Sequence, residues 1–530
     1  MYDYVIVGAG SAGCVLAARL SEDPDVRVCL VEAGPADTAQ NVHVPVAFGQ
    51  LFRTQLDWDY DTHDEPHLHR RRIYLPRGRV LGGTSSINTM IYVRGHRSDF
   101  DGWNQPGWGF DELLPYFKRS EDNERGESAY HGTGGPLRVS DGRSRNPMSA
   151  AFVAAAQEAG FGANDDFNGE RQDGFGLFQL TQRDGRRAST ATAFLHPVAD
   201  RPNLTVEVNL QVHRVLVENG RAVGVVGQRL GADVEIRAER EVVLSGGAYN
   251  SPQLLMLSGI GPAPLLSALG VPVVLDQPQV GQNLQDHVLV PLIYAHSHPV
   301  SLIAAGTPDD LEQFMSEGRG PMTSNGPEAG GFVRTTDGLA APDVEFLSAP
   351  VMFADNGLGT PTDHALSYGP SMLAPRSRGS VQLALADPTA KPKIVHNYFA
   401  EESDLDDAVA ALRIGLDIAR QPALAPYTER PFRPPASESD ADLRDYVRRY
   451  AHSIYHPAGT CAMGAVVDAE LRVHGVDGLR IADASVMPRL VSGNPNAATI
   501  AIGEKAADLI KGVAAATEPA LAAGAAGPAR

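Results

Sequence analysis

The first chemistry legible in this chain is the handling of a pyrophosphate. Gly8, Gly10 and Gly13 stand at the spacing Gly-x-Gly-x-x-Gly in the run Gly8-Ala-Gly-Ser-Ala-Gly13. In a dinucleotide-binding βαβ unit each position has a physical task. Gly8 makes the tight turn, Gly10 lets the backbone approach the phosphates, and Gly13 lets helix and strand pack closely. The backbone N–H groups of Ser11 and Ala12 fall at the positive end of the new helix, where an anion is favoured. Glu32, nineteen residues past Gly13, can accept hydrogen bonds from a ribose diol. An acidic residue there favours an adenosine with a free 2′-hydroxyl, hence FAD or NAD over NADP.

Three elements must hold these groups. Val5-Ile-Val7 reads as a buried strand, Val15 to Leu20 as a helix, and Val26 to Val31 as a second strand ending at Glu32. The chain has 54 glycines, so the spacing alone is weak; the strand before it, the helix after it and the acidic terminator carry the assignment.

With 530 residues the chain has room for about two to four domain-sized units. The formal charge, 45 minus 64 or −19, argues against nucleic acid and against an anionic membrane surface. Cys14, Cys29 and Cys461 have neither metal-ligand spacing nor a disulfide pattern, so no metal is expected. There is no signal-like leader and no apolar run of the roughly 18 residues a membrane span needs. The expected location is cytoplasmic, with no transmembrane segment.

Farther along, residues 50–110 form an excursion holding a backbone-exposing turn at Gly82-Gly83-Thr-Ser-Ser. A helix is expected over Asp111 to Arg119, with Asp111 as N-cap and Pro115 near the first turn, and another over 150–160. Residues 204–245 alternate apolar and polar as a strand series. A Gly turn and helix follow, with Asn250 or Ser251 as cap and Pro252 early. Isolated strands at 344–347 and 380–385 and helices at 401–420 and 439–451 suggest a second, α+β domain. A strand at 479–483 and a helix from about 498 to 511 return to the first, and residues 512–530 have the composition of a disordered tail.

Several separated segments resemble one family, the glucose–methanol–choline oxidoreductases, flavoenzymes that oxidise alcohols. They are the fingerprint at 8–13 with Glu32; Arg77-Gly-Arg-Val-Leu-Gly-Gly-Thr-Ser-Ser-Ile-Asn-Thr-Met-Ile-Tyr-Val-Arg-Gly95; and Gly247-Ala-Tyr-Asn-Ser-Pro-Gln-Leu-Leu-Met-Leu-Ser-Gly-Ile-Gly-Pro262. Near the C-terminus come Tyr455-His-Pro-Ala-Gly-Thr460 and Gly493-Asn-Pro-Asn-Ala-Ala-Thr499, with the short runs 280–287 and 482–488. The resemblance covers residues 1 to about 511. It implies an α/β fold in which a Rossmann-like FAD-binding domain (1–150, 190–300 and 454–515) is interleaved with an α+β substrate domain on a mostly antiparallel sheet (151–189 and 301–453), leaving 516–530 as tail.

The resemblance also implies roles. His456 would be the base that takes the hydroxyl proton and Asn496 its amide partner, with Asn494 a turn residue, while hydride passes to the flavin N5. Gly82, Gly83 and Asn88 would approach the flavin, and Val212 would contact the adenine end through its main chain. Asp483 would face the ribityl side, because a carboxylate against a pyrophosphate repels it; helix capping is the alternative. Some relatives bond flavin covalently through a histidine where this chain has Ile87, so FAD is expected to be dissociable. Asn496 points to the choline-dehydrogenase-like branch.

A quaternary ammonium is usually held by an aromatic cage and a carboxylate. The tryptophans Trp58, Trp103 and Trp108 all lie N-terminal, and Glu328 stands either as that carboxylate or as a turn glutamate in solvent. A neutral primary alcohol, or an aldehyde reacting as its hydrate, is the favoured substrate, with Tyr455 as pocket wall. Oxygen and a quinone-type carrier are both open as electron acceptor. A lyase or decarboxylase that keeps FAD without net oxidation is the competing class.

Overall fold

The computed structural model describes residues 1–513; the expected tail from 514 onward lies outside the described residues. Two sheets organise the chain. The first has seven strands, in the order Leu204–Glu207, Val28–Val31, Tyr2–Val7, Ala232–Leu244, Arg221–Arg229 and Gln211–Glu218, with Leu479–Ile481 against the end of Ala232–Leu244. Strands Leu204–Glu207, Val28–Val31, Tyr2–Val7 and Leu479–Ile481 run parallel to their neighbours. The 13-residue strand Ala232–Leu244 joins two patterns. Its first half pairs antiparallel with Arg221–Arg229 and its second half parallel with Tyr2–Val7. Both faces of the parallel part are covered, so Val5, Ile6, Val28 and Leu30 are fully buried and read as unbroken apolar runs.

Helix Ser11–Leu20 leaves the first strand at Gly8–Gly10. A Cβ on Gly13 would stand 1.9 Å from the Gly8 carbonyl oxygen, and one on Gly8, at φ +102°, would stand 2.5 Å from the Ser245 carbonyl oxygen. The last helix, Asn496–Lys511, lies against the first. A Cβ on Gly503 would be only 3.0 Å from Ala12 Cα. The buried Glu504 carboxylate receives Arg19 Nε at 2.9 Å and Arg119 Nη2 at 2.6 Å. Breaking such a buried pair costs about 3–5 kcal/mol, so this clamp fixes the C-terminal segment over the fingerprint.

The second sheet is antiparallel, in the order Arg430–Phe432, Leu292–Ala295, Ala365–Met372, Val344–Ala349, Ala329–Val333 and Gly174–Leu177. Val288–Leu289 joins it, paired with Ala365–Met372 and with His452–Ser453. Strands Val288–Leu289 and Leu292–Ala295 therefore pair within this sheet. Period-2 alternation divides the sheet's faces. Phe346 packs under helix Glu402–Ala419 beside Gly415, whereas Leu347 and Ala349 face the space between the two sheets.

Local expectations differ from the structure in two helices. Helix Phe110–Ser120 starts at Gly109, so Pro115 is its sixth residue and not in the first turn. Helix Gly247–Leu257 starts at Gly246 with Pro252 inside it, and neither Asn250 nor Ser251 is the cap. Ser251 Oγ instead accepts from Gly246 N at 3.1 Å and donates to Asp483 at 2.6 Å. The stabilisation came from a carboxylate more than two hundred residues away, which no local pattern announces.

Candidate active site

One cavity of about 360 Å³ runs from the fingerprint to the face of the antiparallel sheet. Its nucleotide end is bordered by Gly8, Gly10, Ser11, Ala12, Glu32 and Val212, with Asn496 beside Ser11, and its far end by Tyr455, His456 and Asn494. Gly83, Ile87, Asn88 and Asp483 border it between. Gly13, Gly82 and Glu328 do not border it. Gly13 serves helix packing, and Gly82, at φ +87°, turns the loop so that a Cβ on Gly83 would meet Gly10 Cα at 2.7 Å.

The nucleotide end fits a dinucleotide such as FAD. Helix Ser11–Leu20 has no side-chain cap, so its first N–H groups are free for an anion. A Cβ on Gly10 would meet nothing nearer than 3.8 Å, which leaves the approach open. Glu32 Oε2 accepts from Ala9 N at 2.9 Å and Oε1 from Gly34 N at 2.8 Å. Burial pushes its pKa up to about 7 against these two hydrogen bonds. Asn88 Oδ1 is held by Met90 N and by Arg187 Nη1, 3.0 and 2.9 Å away, which leaves its amide N–H₂ for a ligand. Asp483 is a double cap: its oxygens accept from Ser485 N at 2.8 Å and from Gly247 N at 2.9 Å. The capping alternative therefore describes its contacts.

At the far end His456 is held from three sides. Its backbone N–H donates to Asp286 Oδ1 at 2.7 Å, its Nδ1 lies 2.9 Å from His287 Nδ1, and its Nε2 lies 3.2 Å from Asn494 Nδ2. Donation from the Asn494 amide requires a bare Nε2, so that nitrogen is the basic one and Nδ1 carries the proton. Burial first, then His287 and Arg77, holds the His456 pKa well below the ordinary histidine range. Burial lowers His287 to about 4. Both rings are neutral at neutral pH, as a proton acceptor at rest must be.

Asp286 anchors this end. Oδ1 also accepts from His287 N at 3.0 Å, while Oδ2 takes the Tyr398 and Ser453 hydroxyls, each at 2.5 Å. Tyr455, directly before the base, has φ +70°, a conformation that costs an L-residue of this size about 1–3 kcal/mol. It is imposed by Ser453 Oγ accepting from its N–H at 2.7 Å, Arg77 Nη2 donating to its carbonyl at 2.7 Å, and its own hydroxyl donating to Asn356 Oδ1 at 2.8 Å. The kink aims the next residue, His456, into the cavity.

Two expected residues are corrected. Asn496, expected beside the base, is the first residue of helix Asn496–Lys511 and its Oδ1 accepts from Ser11 Oγ at 2.6 Å. The amide within reach of the imidazole is Asn494. Glu328 is neither a pocket carboxylate nor a solvent turn. It is buried, accepting from Ser149 Oγ at 2.7 Å and Ser324 Oγ at 2.6 Å. Asp286 and His287 sat in the quoted run 280–287 without a role. The signal that could have found them was a carboxylate next to an imidazole just before an apolar strand. Arg187 was missed as well. It is buried and donates to the Val42, Ser85 and Asn88 carbonyls, and burial lowers it to about 9.

A dinucleotide cleft roofed by an antiparallel sheet, with a buried neutral imidazole–amide pair at its closed end, defines a nucleotide-dependent redox enzyme of the α/β class. Known proteins narrow this. The GMC oxidoreductase family models match residues 2–289 and 375–503. The chain belongs to the GMC oxidoreductases. It is 43% identical over 527 residues to an alcohol dehydrogenase [acceptor] of Pseudomonas putida, covering 96% of each chain. It is also 43% identical over 533 residues to the mitochondrial choline dehydrogenase of Mus musculus, covering 96% of this chain and 89% of that one. Among solved structures, pyridoxine 4-oxidase from Mesorbium loti superposes with a TM-score of 0.88 at 35% identity, over 96% of this chain and 98% of that one. Each of these names is that of a dehydrogenase or an oxidase, and none is a lyase's. Among the described residues no helix is long and apolar enough to cross a membrane, and no cluster of His, Cys, Asp and Glu could hold a metal.

Proposed function

We propose that this chain oxidises the CH–OH group of an alcohol with a dissociable FAD, using His456 as base. The observation that carries the reading is the His456–Asn494 pair at the closed end of a cavity that begins at the fingerprint. An alcohol hydroxyl placed between the two would donate its proton to Nε2 and accept from the Asn494 amide, so the forming alkoxide is held as the proton leaves. Arg77, which touches the Tyr455 carbonyl and lowers the His456 pKa, adds positive charge where negative charge develops. The shifted proton rests on an imidazole whose Nδ1 faces His287, an orientation fixed by Asp286. Bound FAD would supply the hydride acceptor. The residues to hold it are the Ser11 and Ala12 N–H groups at the phosphates, Glu32 at the ribose, the Val212 main chain at the adenine, and Gly83 and Asn88 near the ring. Ile87 borders the cavity as a buried aliphatic chain with no atom able to bond covalently to a flavin. Oxygen or a quinone-type carrier is the electron acceptor.

Anaerobic mixing of the holoenzyme with a panel of alcohols tests the reading. Bleaching of the oxidised flavin band is expected. Turnover with an unchanged band would instead make the chain a lyase. Acid precipitation should release the yellow colour into the supernatant; colour retained on the pellet would overturn the non-covalent assignment.

A further inference from the structure

The cavity's charges are distributed unevenly, and that bears on what it can admit. Glu32 and Asp483 are the acidic residues that border it among the described residues, and both stand at the nucleotide end or its middle with their oxygens already accepting backbone N–H groups. At the substrate end the apolar part of the wall is Phe52, Leu289, Leu347, Val351, Phe353 and Ile454, beside the rings of Tyr368 and Tyr455. The two carboxylates nearest this end are both set back behind its wall. Asp286 does not border the cavity and its oxygens take four donors. Glu328 is turned onto Ser149 and Ser324. The charged group that does border this end is a cation. Arg77 donates to the Pro76 and Tyr455 carbonyls and makes no direct ion pair among the described residues; the buried carboxylates of Asp286 and Asp57 act on its charge from behind the wall.

We infer that the substrate is an uncharged primary alcohol with an apolar body, and that the pocket rejects quaternary ammonium alcohols. This rests on the alcohol-oxidation reading above and names the substrate of that same site. Two physical terms act together. An ammonium entering this end loses its hydration and gains no carboxylate. It also comes under the repulsion of the Arg77 guanidinium, which low-dielectric walls strengthen. Cation–π attraction from Phe52, Phe353 and Tyr455 is the opposing term; Phe52 is packed edge-on against Phe48, Tyr74 and Tyr455 at 5.6–6.1 Å between centroids, and without a carboxylate at the wall the rings alone must offset the lost hydration and the Arg77 charge. An uncharged alkyl or aryl body can lie against the apolar part of this wall and gains from leaving water. The polarity of Arg77 suits the reaction as well, since an alkoxide forms at that end.

The decisive comparison uses choline and its carbon isostere 3,3-dimethylbutan-1-ol, which share shape and differ in charge, with benzyl alcohol as a larger neutral probe. The FAD-loaded enzyme is titrated with each under anaerobic conditions. Ligand binding is read from perturbation of the flavin absorption envelope, and turnover from its bleaching. The neutral isostere is expected to exceed choline in kcat/KM by on the order of 100-fold, and to bind more tightly. Choline equal to or better than the isostere in either readout overturns the inference, as does failure of both neutral probes to perturb the band. If the neutral alcohols bind in preference to choline but bleach nothing, the pocket assignment stands and the oxidation reading falls.

Discussion

At its nucleotide end the cavity is built on residues 7–33, a continuous βαβ stretch, joined by residues 210–212, 245–257 and 388–391. At its reacting end the same cavity is walled by Arg77, Leu289, Phe353, Tyr455, His456 and Asn494, drawn from five separated segments. The first end is held by backbone geometry: glycines that admit no Cβ, a bare helix N-terminus, and a carboxylate taking N–H groups. The second is held by side chains leaning on one buried carboxylate, Asp286. The first end can therefore be broken by one methyl group, and the second by one hydrogen-bond acceptor.

The largest expected effect tests the backbone end. Gly13→Ala places a methyl 1.9 Å from the Gly8 carbonyl, so it should abolish recovery of soluble, FAD-loaded protein, read from the 450 nm to 280 nm absorbance ratio; a normal ratio would remove the close-packing role. Next is the base. His456→Ala should lose roughly 100-fold or more in kcat with FAD content unchanged, and a near-normal rate defeats the assignment. Asp286→Asn sharpens the contrast. It puts an N–H₂ among four donors and should cost about 1–3 kcal/mol in stability and roughly 10-fold in kcat, at unaltered FAD content; a loss of FAD instead would show that the two ends are not separable.

The pH profile gives a smaller but signed effect. Protonation removes the base, and burial with His287 and Arg77 places the His456 pKa below the ordinary value of 6.5. The kcat/KM profile should stay level as pH falls through about 6.5 and drop only below it; an acid limb above 6.5 would contradict a buried neutral ring. Smallest is Glu328→Gln, which keeps an acceptor for Ser149 or Ser324. It should leave kcat/KM for a neutral alcohol within about twofold and cost no more than about 1–2 kcal/mol. A large change in substrate preference would bring that carboxylate back into the pocket.

How much of this was legible follows from how each piece is made. The glycine spacing, the flanking strands and Glu32 were readable because turn geometry and helix packing are local: a Cβ either fits or does not. His456 was legible through the motif around it, but its partner was not. Asn494 and Asn496 flank the same proline, and which amide meets the imidazole depends on where helix Asn496–Lys511 begins and on Ser11 taking the Asn496 oxygen. The pairing of strands Val288–Leu289 and Leu292–Ala295 was not legible for a similar reason, since an apolar run does not name its pairing partner.

The sequence alone determined the dinucleotide turn, the alternation of the strands and the family, because these rest on steric rules that act over a few residues and on motifs long enough to exclude chance. The tertiary structure decided which side chains share the closed end of the cavity and which carboxylates are excluded from it. Those outcomes depend on distances between segments hundreds of residues apart, set by packing of the first helix on the last and by the register of the antiparallel sheet, and burial then fixes the protonation of whatever those contacts enclose.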